Sequence, residues 1–443
     1  MDDTTRPSDR TTARFAIDIG STIVKVARIG PSGEICSQQF HPRDFTAGIA
    51  SQVGSLLAAT GADIETDDIL ISSSANGGLR VGILCLSKEY SGSAVRNQVL
   101  LAGANPVFVD SFDEEPSAHG MVDLLIIAGG VDCPDAAPLR THLERFDPAR
   151  YRFRTLVYCG NRFESAALLD RFADAIVIAN PLATSLAGNQ PSVFEAVRRA
   201  YLDDLIFKEG VSELPERLRR GVRPTPEVAN RGFQQAIANQ SSVVVFSPCL
   251  LLDIGGATTD LHYTTEIVRD DSPERPLTGT SVGRHVFTDL GIFASRDSLI
   301  MQLRAHPRLY EFLAVVEGRK SPEIFRAMRE DAYDPSGPLL SYGCLFLALE
   351  RFASGRGPGL PMADLSKVAQ VMLTGGAAQA LDEEIGRKVV QLVTADAEDA
   401  PIVSVDRKYA LWIEGLLCLK GLTQKELEVG NDRNAVREPE VGR

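Results

Sequence analysis

LLDIGGATTDLHYTT, residues 251–265, joins two strand-like segments through a turn of glycine and threonine. An apolar run ends in Asp253, two glycines and two threonines follow, and Asp260 opens a second β-prone run. This pattern predicts a β-hairpin. A plain hairpin turn of Asp and Gly residues would account for one such stretch, so the rest of the chain decides whether it carries chemistry.

A second copy of the plan lies near the N-terminus, where DIGST, residues 18–22, follows the apolar run Phe15–Ile19. DIGGATT, residues 253–259, repeats the strand, the Asp-Ile-Gly sequence and the hydroxyl-bearing turn about half a chain later. Two similar lobes that face each other across a cleft would account for this repeat.

Both turns have the composition of a phosphate site. A glycine directly after a strand lets backbone N–H groups approach an oxygen-rich ligand, and successive N–H groups form an anion-binding nest. Asp18 and Asp253 would repel a bare triphosphate, so their presence favours Mg²⁺ held through water and phosphate oxygens. Lys25 lies seven residues after Asp18, and Asp260 lies seven residues after Asp253. We therefore expect the turns to hold the β- and γ-phosphates of Mg-ATP. Asp18 and Asp253 are both expected to be catalytic carboxylates, and both are expected to hold Mg²⁺ through water.

A third glycine motif is VMLTGGAAQAL, residues 371–381, in which Gly375 and Gly376 follow a strand and open a helix. A nucleotide can rest against such a turn. Tight packing between strand and helix explains the same pattern without a ligand.

Bulk properties limit the function classes. The chain has 443 residues, 44% of them apolar, and a net charge of −13, which indicates several domains and disfavours a nucleic-acid partner. Its seven cysteines include no C-x-x-C pair, as expected for reduced thiols. No secretory signal and no run of about 18 apolar residues occur, so we expect a cytoplasmic protein without membrane contact.

The order of predicted elements gives an α/β domain plan. Residues 14–67 read as the first part of one lobe. Strands and helices alternate over 68–180, which predicts an inserted, doubly wound parallel sheet of the flavodoxin or Rossmann kind. The remaining divisions are a helical connection completing the first lobe at 181–240, a second lobe at 241–423, and disordered tails at 1–13 and 424–443.

The three turns resemble the phosphate-1, phosphate-2 and adenosine segments of the actin, Hsp70 and sugar kinase ATPase superfamily. From residue 14 to residue 423 the chain is also similar to the glutamate mutase accessory protein family. This is the MutL-type component encoded with adenosylcobalamin-dependent glutamate mutase. The blocks that carry the similarity, in order, are SSSANGGLRVGILCLSKEYSGSAVRNQVLLAGANPVFVDSF, LLIIAGGVD, VYCGN, RPTPEVAN, DIGGATTDLH and DRKYALWIEGLL.

The resemblance implies a two-lobed actin-like ATPase with RNase H-like lobes, weak ATP hydrolysis, and a reactivase or chaperone role toward an adenosylcobalamin-dependent mutase subunit. It also implies the site residues. They are Asp18, Gly20, Ser21, Thr22 and Lys25 in phosphate-1; Asp253, Gly255, Gly256, Thr258, Thr259 and Asp260 in phosphate-2; and Gly375 and Gly376 in the adenosine turn. Val24 stands where related turns often have threonine, so ATP affinity is expected to be modest.

Two other functions fit the same fold. A small-molecule kinase would transfer the γ-phosphate to a substrate hydroxyl, although the chain has no clear sugar- or acid-recognition loop. A scaffold would bind nucleotide without turnover, which the intact aspartates disfavour.

The insert suggests a hypothesis about the partner. The cobalamin-binding subunit of the mutase is of the flavodoxin-like class, so the insert would mimic or contact it; an ordinary structural elaboration is the alternative. The Asp-x-His-x-x-Gly cobalamin motif is absent, since Asp260-Leu261-His262 continues to Thr265 instead of glycine. Polar and glycine residues at strand ends further suggest a second pocket, at 76–78, 128–132, 160–161 and 180–181.

Overall fold

The computed structural model describes residues 13–74, 78–116, 120–134, 137–182, 191–207, 211–272, 281–318, 322–335, 337–357, 359–394 and 400–421. The tails predicted to be disordered lie outside these ranges except for Ala13, and so do Asn76 and Gly77 of the first proposed strand end. No helix in the described part is long and apolar enough to cross a membrane.

Strands and helices alternate along much of the chain. The strands are β1 (Arg14–Ile19), β2 (Ile23–Ile29), β3 (Ile35–Pro42), β4 (Asp68–Ser73), β5 (Arg80–Cys85), β6 (Asn105–Ser111), β7 (Val122–Ala128), β8 (Phe153–Tyr158), β9 (Ile176–Val177), β10 (Val222–Pro224), β11 (Cys249–Ile254), β12 (Thr259–Thr264), β13 (Val282–Phe287), β14 (Gln370–Thr374) and β15 (Ile402–Val405). The helices are α1 (Ile49–Ala59), α2 (Ser93–Leu101), α3 (Ala137–Arg145), α4 (Ser165–Leu169), α5 (Ser192–Leu205), α6 (Glu216–Arg219), α7 (Thr225–Ile237), α8 (Arg296–Ala305), α9 (Leu309–Val316), α10 (Pro322–Arg329), α11 (Pro338–Ser354), α12 (Glu383–Val393) and α13 (Ala410–Leu419).

The chain divides into two compact units. The first comprises the described parts of Met1–Ala75, Ile206–Ser242 and Ala410–Arg443, and the second comprises those of Asn76–Leu205 and Val243–Tyr409.

The first unit contains one five-stranded sheet in the order β10-β4-β1-β2-β3. The pairs β1–β2 and β2–β3 are antiparallel, whereas the pairs β1–β4 and β4–β10 are parallel. Helices α7 and α13 pack closely together because Gly232 leaves room for the Leu411 backbone and Gly415 leaves room for the Val228 carbonyl. Any larger residue at either glycine would push the helices apart.

One sheet of the second unit has the order β13-β12-β11-β14-β15. The pairs β11–β12 and β12–β13 are antiparallel, and the pairs β11–β14 and β14–β15 are parallel. This is the same order and the same set of directions as in the first unit. The largely buried helix α11 contributes Leu345, Phe346 and Leu349 to the core of this part of the unit, together with Leu252 of β11.

The other sheet of the second unit is wholly parallel, in the order β6-β5-β7-β8-β9. In sequence terms this is the order 2-1-3-4-5 found in flavodoxin-like sheets. The central strand β7 is buried along almost its whole length, as expected for a parallel strand covered on both faces.

Three segments differ from the predicted domain plan. The sequence prediction placed residues 68–73 in the insert, but β4 pairs in parallel with β1 and belongs to the first unit. It placed α13 in the second lobe, whereas this helix lies in the first unit, and α5 of the predicted connection lies in the second. A buried parallel strand has the same apolar pattern in either sheet, and no local signal marks the return of the chain to an earlier unit.

Candidate functional site

The first Asp-Ile-Gly turn, here called hairpin I, joins β1 to β2. Asp18 lies opposite Lys25 and Ile19 lies opposite Val24, which leaves residues 20–23 as the loop. The Gly20 N–H donates to the Ile23 carbonyl at 3.0 Å. A Cβ at Gly20 would lie only 2.7 Å from that oxygen, so the loop closes in this form because residue 20 is glycine.

The Asp18 carboxylate lies at the centre of a buried network. It is 1% exposed, and its Oδ2 accepts from Lys25 Nζ at 2.7 Å. Its Oδ1 accepts from the hydroxyls of Ser72 at 2.7 Å and Thr225 at 2.6 Å. Trp412 Nε1 in turn donates to Ser72 Oγ at 2.8 Å. A buried charge of this kind is stabilised by its counter-ion and its hydrogen bonds, so Asp18 holds Lys25 in place.

The second turn, hairpin II, joins β11 to β12 with the same register. Asp253 lies opposite Asp260 and Ile254 lies opposite Thr259, which leaves residues 255–258 as the loop. The Gly255 N–H donates to the Thr258 carbonyl at 2.9 Å, the same closing bond as in hairpin I. The predicted repeat is therefore present in residue pairing as well as in sequence.

A neighbouring segment, residues 291–295, braces the loop of hairpin II. The N–H groups of Phe293 and Ala294 donate to the Gly256 carbonyl at 2.7 and 2.8 Å, and that of Ile292 donates to the Gly255 carbonyl at 3.2 Å. The Ser295 hydroxyl also donates to the Ala257 carbonyl at 2.7 Å. The carbonyl oxygens of the loop thus point into the protein.

The loop N–H groups differ from the carbonyls. Within the described ranges, no backbone acceptor takes the N–H of Ser21 or Thr22 in hairpin I, or that of Gly256, Ala257 or Thr258 in hairpin II. Consecutive N–H groups without backbone acceptors are the donors that bind an anion. Both hairpins therefore keep the chemistry of a phosphate-binding turn.

The acidic residues of hairpin II lie in different surroundings. Asp253 is partly exposed, whereas Asp260 is 7% exposed and accepts from Arg284 Nε at 2.9 Å. The hydroxyl of Thr258 donates to the second oxygen of Asp260 at 3.4 Å. Thr259 is buried, and its hydroxyl donates inward to the Leu290 carbonyl at 2.8 Å.

The third glycine motif lies beside hairpin II. Asp253 pairs with Thr374 of β14, so Gly375 follows directly at the strand end. Gly375 has φ +93°, and a Cβ there would meet the Asp253 carboxylate and lie 2.5 Å from the Ile254 carbonyl. Gly376 opens a 3-10 turn over Ala377–Ala380, and α12 begins later. A helix therefore follows the glycines directly, as predicted, but it is a short 3-10 helix separate from α12. The close approach of the glycines to hairpin II is also present.

Four residues of these networks were not anticipated from the sequence. They are Ser72, Thr225 and Trp412 around Asp18, and Arg284 beside Asp260. Ser72 and Thr225 reach Asp18 from sequence separations of 54 and 207 residues, and Trp412 reaches Ser72 from 340 residues away. Arg284 lies in a segment whose Gly, Arg and His content hides its strand character. No local pattern identifies such partners.

The strand ends of the parallel sheet carry structural asparagines. Asn161 is fully buried, donates to the Cys133 carbonyl at 2.6 Å and accepts from the Cys133 N–H at 3.2 Å. Asn180 donates to the Gly130 carbonyl at 2.9 Å and accepts from the Leu182 N–H at 2.9 Å. These amides replace backbone partners and fix the loops, which explains their positions without a ligand. Gly78 precedes β5 and so lies at the amino end of that strand, whereas the other three segments follow the carboxyl ends of β7, β8 and β9. The prediction that all four strand ends share one edge of the sheet is therefore wrong at Gly78.

The fold and the turns define a mixed α/β protein in which one order of five strands occurs twice. The family described as MutL protein matches residues 14–423. The chain therefore belongs to the MutL protein family, and the recognition made from the sequence blocks is confirmed.

A curated relative and several solved structures are also similar. Protein MutL of Clostridium tetanomorphum is 24% identical over 250 residues, which cover 52% of this chain and 52% of the relative. The chain thus spans about half the length of the curated relative it matches.

Among solved structures, the activator of 2-hydroxyisocaproyl-CoA dehydratase from Clostridium difficile with bound ADPNP is 8% identical, with 97% of this chain and 100% of that chain covered and a TM-score of 0.34. Component A of (R)-2-hydroxyglutaryl-CoA dehydratase from Acidaminococcus fermentans is 9% identical, with 94% and 100% covered and a TM-score of 0.33.

Proposed function

We propose that this chain binds Mg-ATP through its two hairpins and acts as an ATP-dependent accessory protein. The observation that carries the proposal is the repeated turn. Hairpins I and II share the Asp-Ile-Gly sequence, the strand register and the closing hydrogen bond, and both leave loop N–H groups without a backbone acceptor among the described residues. Because the same turn occurs twice, each time with these loop N–H donors, each hairpin can contact one phosphate.

The finer fold belongs to the same proposal. Two sheets with one strand order support a two-lobed actin-like ATPase with RNase H-like lobes. The parallel sheet between them in sequence supports an inserted, doubly wound, flavodoxin-like domain.

The residues present suit a magnesium-bound triphosphate. Asp253 offers a partly exposed carboxylate beside the loop of hairpin II, and Mg²⁺ in nucleotide sites takes only one or two carboxylates besides phosphate oxygens. When bound, Mg-ATP supplies a divalent charge and a transferable γ-phosphoryl group.

We assign the side chains accordingly. Asp253 is the carboxylate on the metal side, and the Asp18 carboxylate orients the Lys25 ammonium toward phosphate instead of meeting solvent itself. The loop donors are the N–H groups of Ser21, Thr22, Gly256 and Thr258, with Gly20 and Gly255 closing the loops. Asp260 and Thr259 support hairpin II from within the protein, and Gly375 with Gly376 forms the nucleoside side.

The partner we propose is a subunit of an adenosylcobalamin-dependent mutase such as glutamate mutase. Membership of the MutL family supports a partner of this kind. A reactivase would use the different affinities of its ATP-bound and ATP-free states to release damaged cofactor from the mutase. The flavodoxin-like insert would contact the mutase where its own cobalamin subunit docks.

Nucleotide binding can be tested with a reporter that the chain already contains. Trp412 is the one tryptophan of the sequence; its indole donates to Ser72, and Lys25 Nζ lies 5.9 Å from the ring centroid. Mg-ATP should change the Trp412 emission, with an affinity that calorimetry reproduces. Lys25→Met and Asp253→Ala should each weaken binding about tenfold or more, as expected for the loss of a charged contact of about 1.5–3 kcal/mol. No heat of binding for the wild-type chain would refute the proposal.

The accessory role needs a second experiment. A mutase inactivated with a cobalamin analogue should regain activity only when the wild-type chain and Mg-ATP are both added, and the γ-phosphate should appear as free phosphate. A phosphate ester would identify a kinase instead. ATP binding without reactivation or turnover would identify a scaffold. Arg387→Lys is the matched control, because Arg387 forms a bidentate pair with Glu384 on α12, outside the insert and outside the hairpin residues.

A further inference from the structure

Arg284 of β13 joins hairpin II to helix α2. The guanidinium is 2% exposed. On one side Nε donates to Asp260 Oδ1 at 2.9 Å, and Nη2 pairs with the same carboxylate. On the other side Nη1 donates to the Leu100 carbonyl at 2.6 Å and to the Ala104 carbonyl at 3.4 Å. One buried side chain therefore contacts the proposed phosphate turn and the end of a helix that belongs to the parallel sheet.

The contacts with α2 have a clear physical role. Leu100 lies in the last turn of α2, where its carbonyl accepts from the Gly103 N–H at 3.0 Å and takes Arg284 as a second donor. That end of a helix also carries a partial negative charge, which favours a nearby cation. Arg284 thus adds a charged donor to the end of α2 from another strand. Removing the guanidinium would take this donor from the helix end and the counter-ion from Asp260.

The contacts with hairpin II lead directly into the loop. Asp260 uses Oδ1 for Arg284 and Oδ2 for the Thr258 hydroxyl. Asp260 also pairs with Asp253 across hairpin II, so a shift of the hairpin moves the carboxylate that holds Arg284. Because Arg284 is buried and has no solvent to replace lost partners, such a change reaches α2.

Helix α2 runs from the carboxyl end of β5 to the amino end of β6, and so connects the two edges of the parallel sheet. It begins beyond the carboxyl end of β5, after a π-helical turn at Lys88–Gly92. Nine residues of helix cover about 14 Å. In sheets of this kind the carboxyl ends of the strands form the edge that meets ligands and partners, and π-helical turns often mark functional positions.

We propose that Arg284 is a positioning residue that couples occupancy of hairpin II to helix α2, and through α2 to the carboxyl edge of the parallel sheet. This inference rests on the proposed Mg-ATP binding and specifies how the bound state would be reported to the insert. Arg284 touches neither the proposed ligand nor the carboxyl edge; it acts through Asp260 and the α2 terminus.

Hydrogen–deuterium exchange of the full-length chain, with and without Mg-ATP, tests the coupling. In the wild-type chain, ATP should slow exchange in peptides covering hairpin II and the last turn of α2. In Arg284→Met the slowing of exchange that ATP causes at α2 should be at least about fivefold smaller than in the wild-type chain. Fivefold is the lower end of typical coupling between two sites. The response at hairpin II should remain.

The variants and outcomes are separable. Arg284→Lys keeps the buried positive charge but cannot contact Asp260 and the helix carbonyls together, so it should also uncouple α2, and it decides the question if the Met variant does not fold. Arg140→Lys, a matched loss of a bidentate pair within the insert, should leave the coupling intact. An α2 response that survives in Arg284→Lys, or a wild-type response at hairpin II alone, overturns the coupling. No wild-type response at either place overturns the Mg-ATP proposal and the coupling with it.

Discussion

The two hairpins have the same backbone and different charges. In hairpin I the cross-strand pair is Asp18 with Lys25, a buried and neutral ion pair. In hairpin II the same pair is Asp253 with Asp260, and the cation comes from a third strand as Arg284. What both turns keep, the loop closure and the open N–H groups, is what binding phosphate requires. What differs is the placement of charge: hairpin I holds its lysine in a buried ion pair, whereas hairpin II keeps one partly exposed carboxylate, Asp253.

Removing the aspartate of each hairpin should have unequal effects on stability. Asp18→Ala leaves the Lys25 ammonium buried without its counter-ion, which should lower the free energy of unfolding by about 3–5 kcal/mol. Asp253→Ala removes a partly exposed carboxylate and should cost about 1 kcal/mol or less. Urea denaturation followed by circular dichroism measures both. Equal losses would mean that the charge difference between the hairpins has no energetic consequence.

Acid should destabilise the sheet of hairpin II. Burial lowers the pKa of His262 on β12 well below its usual value and lowers that of His285 on β13 to about 3, aided by neighbouring arginines. Unfolded histidines bind a proton near pH 6.5. Between pH 6.5 and about 3 the unfolded chain thus holds more protons, and stability falls as the pH falls. From pH 7 to pH 5 the loss should be about 2 kcal/mol for His285, with a further loss of the same sign from His262.

Replacing His285 tests the acid effect directly. His285→Gln should reduce the slope of unfolding free energy against pH by about one proton, as measured by urea denaturation at several pH values. A slope that persists unchanged in His285→Gln would place the titrating group elsewhere.

The loop glycines provide the smallest and most closely matched comparison. A Cβ at Gly20 would lie 2.7 Å from the Ile23 carbonyl, whereas one at Gly255 would lie 3.1 Å from the Thr258 carbonyl. Gly20→Ala should therefore cost about 1–3 kcal/mol, as overpacking does, and Gly255→Ala clearly less. Thermal unfolding of the two variants gives the difference. The reverse order would show that the two loops relax differently despite their shared closing bond.

The sequence predicted regular elements well where the pattern is local. Strand β2 was predicted at its observed bounds, Ile23–Ile29, because glycine turns and an apolar run delimit it. Strands β10, β13 and β15 were missed. The first and last are only three and four residues long, and β13 reads VGRHVF, whose arginine and histidine are buried through partners that only the tertiary structure supplies.

In the candidate site, too, local features were predictable from the sequence and long-range contacts were not. The equal seven-residue offsets in the two turns correspond to the observed pairs Asp18–Lys25 and Asp253–Asp260, because strand register follows from loop length. The direction of Lys25 was not predictable. Its bond to Asp18 depends on hydroxyls from Ser72 and Thr225, which surround the carboxylate from distant parts of the chain.

Helix α2 packs against β13, and this contact affects how a deletion of the insert would have to be interpreted. β13 is the outermost strand of its sheet, and α2 supplies acceptors to its buried arginine. A chain from which the parallel sheet had been excised would expose that strand, and uncovered outer strands promote self-association. If such a shortened chain failed to bind the proposed mutase partner, aggregation would explain the result as well as the loss of a docking surface. Single substitutions along the carboxyl edge, with α2 left in place, separate the two.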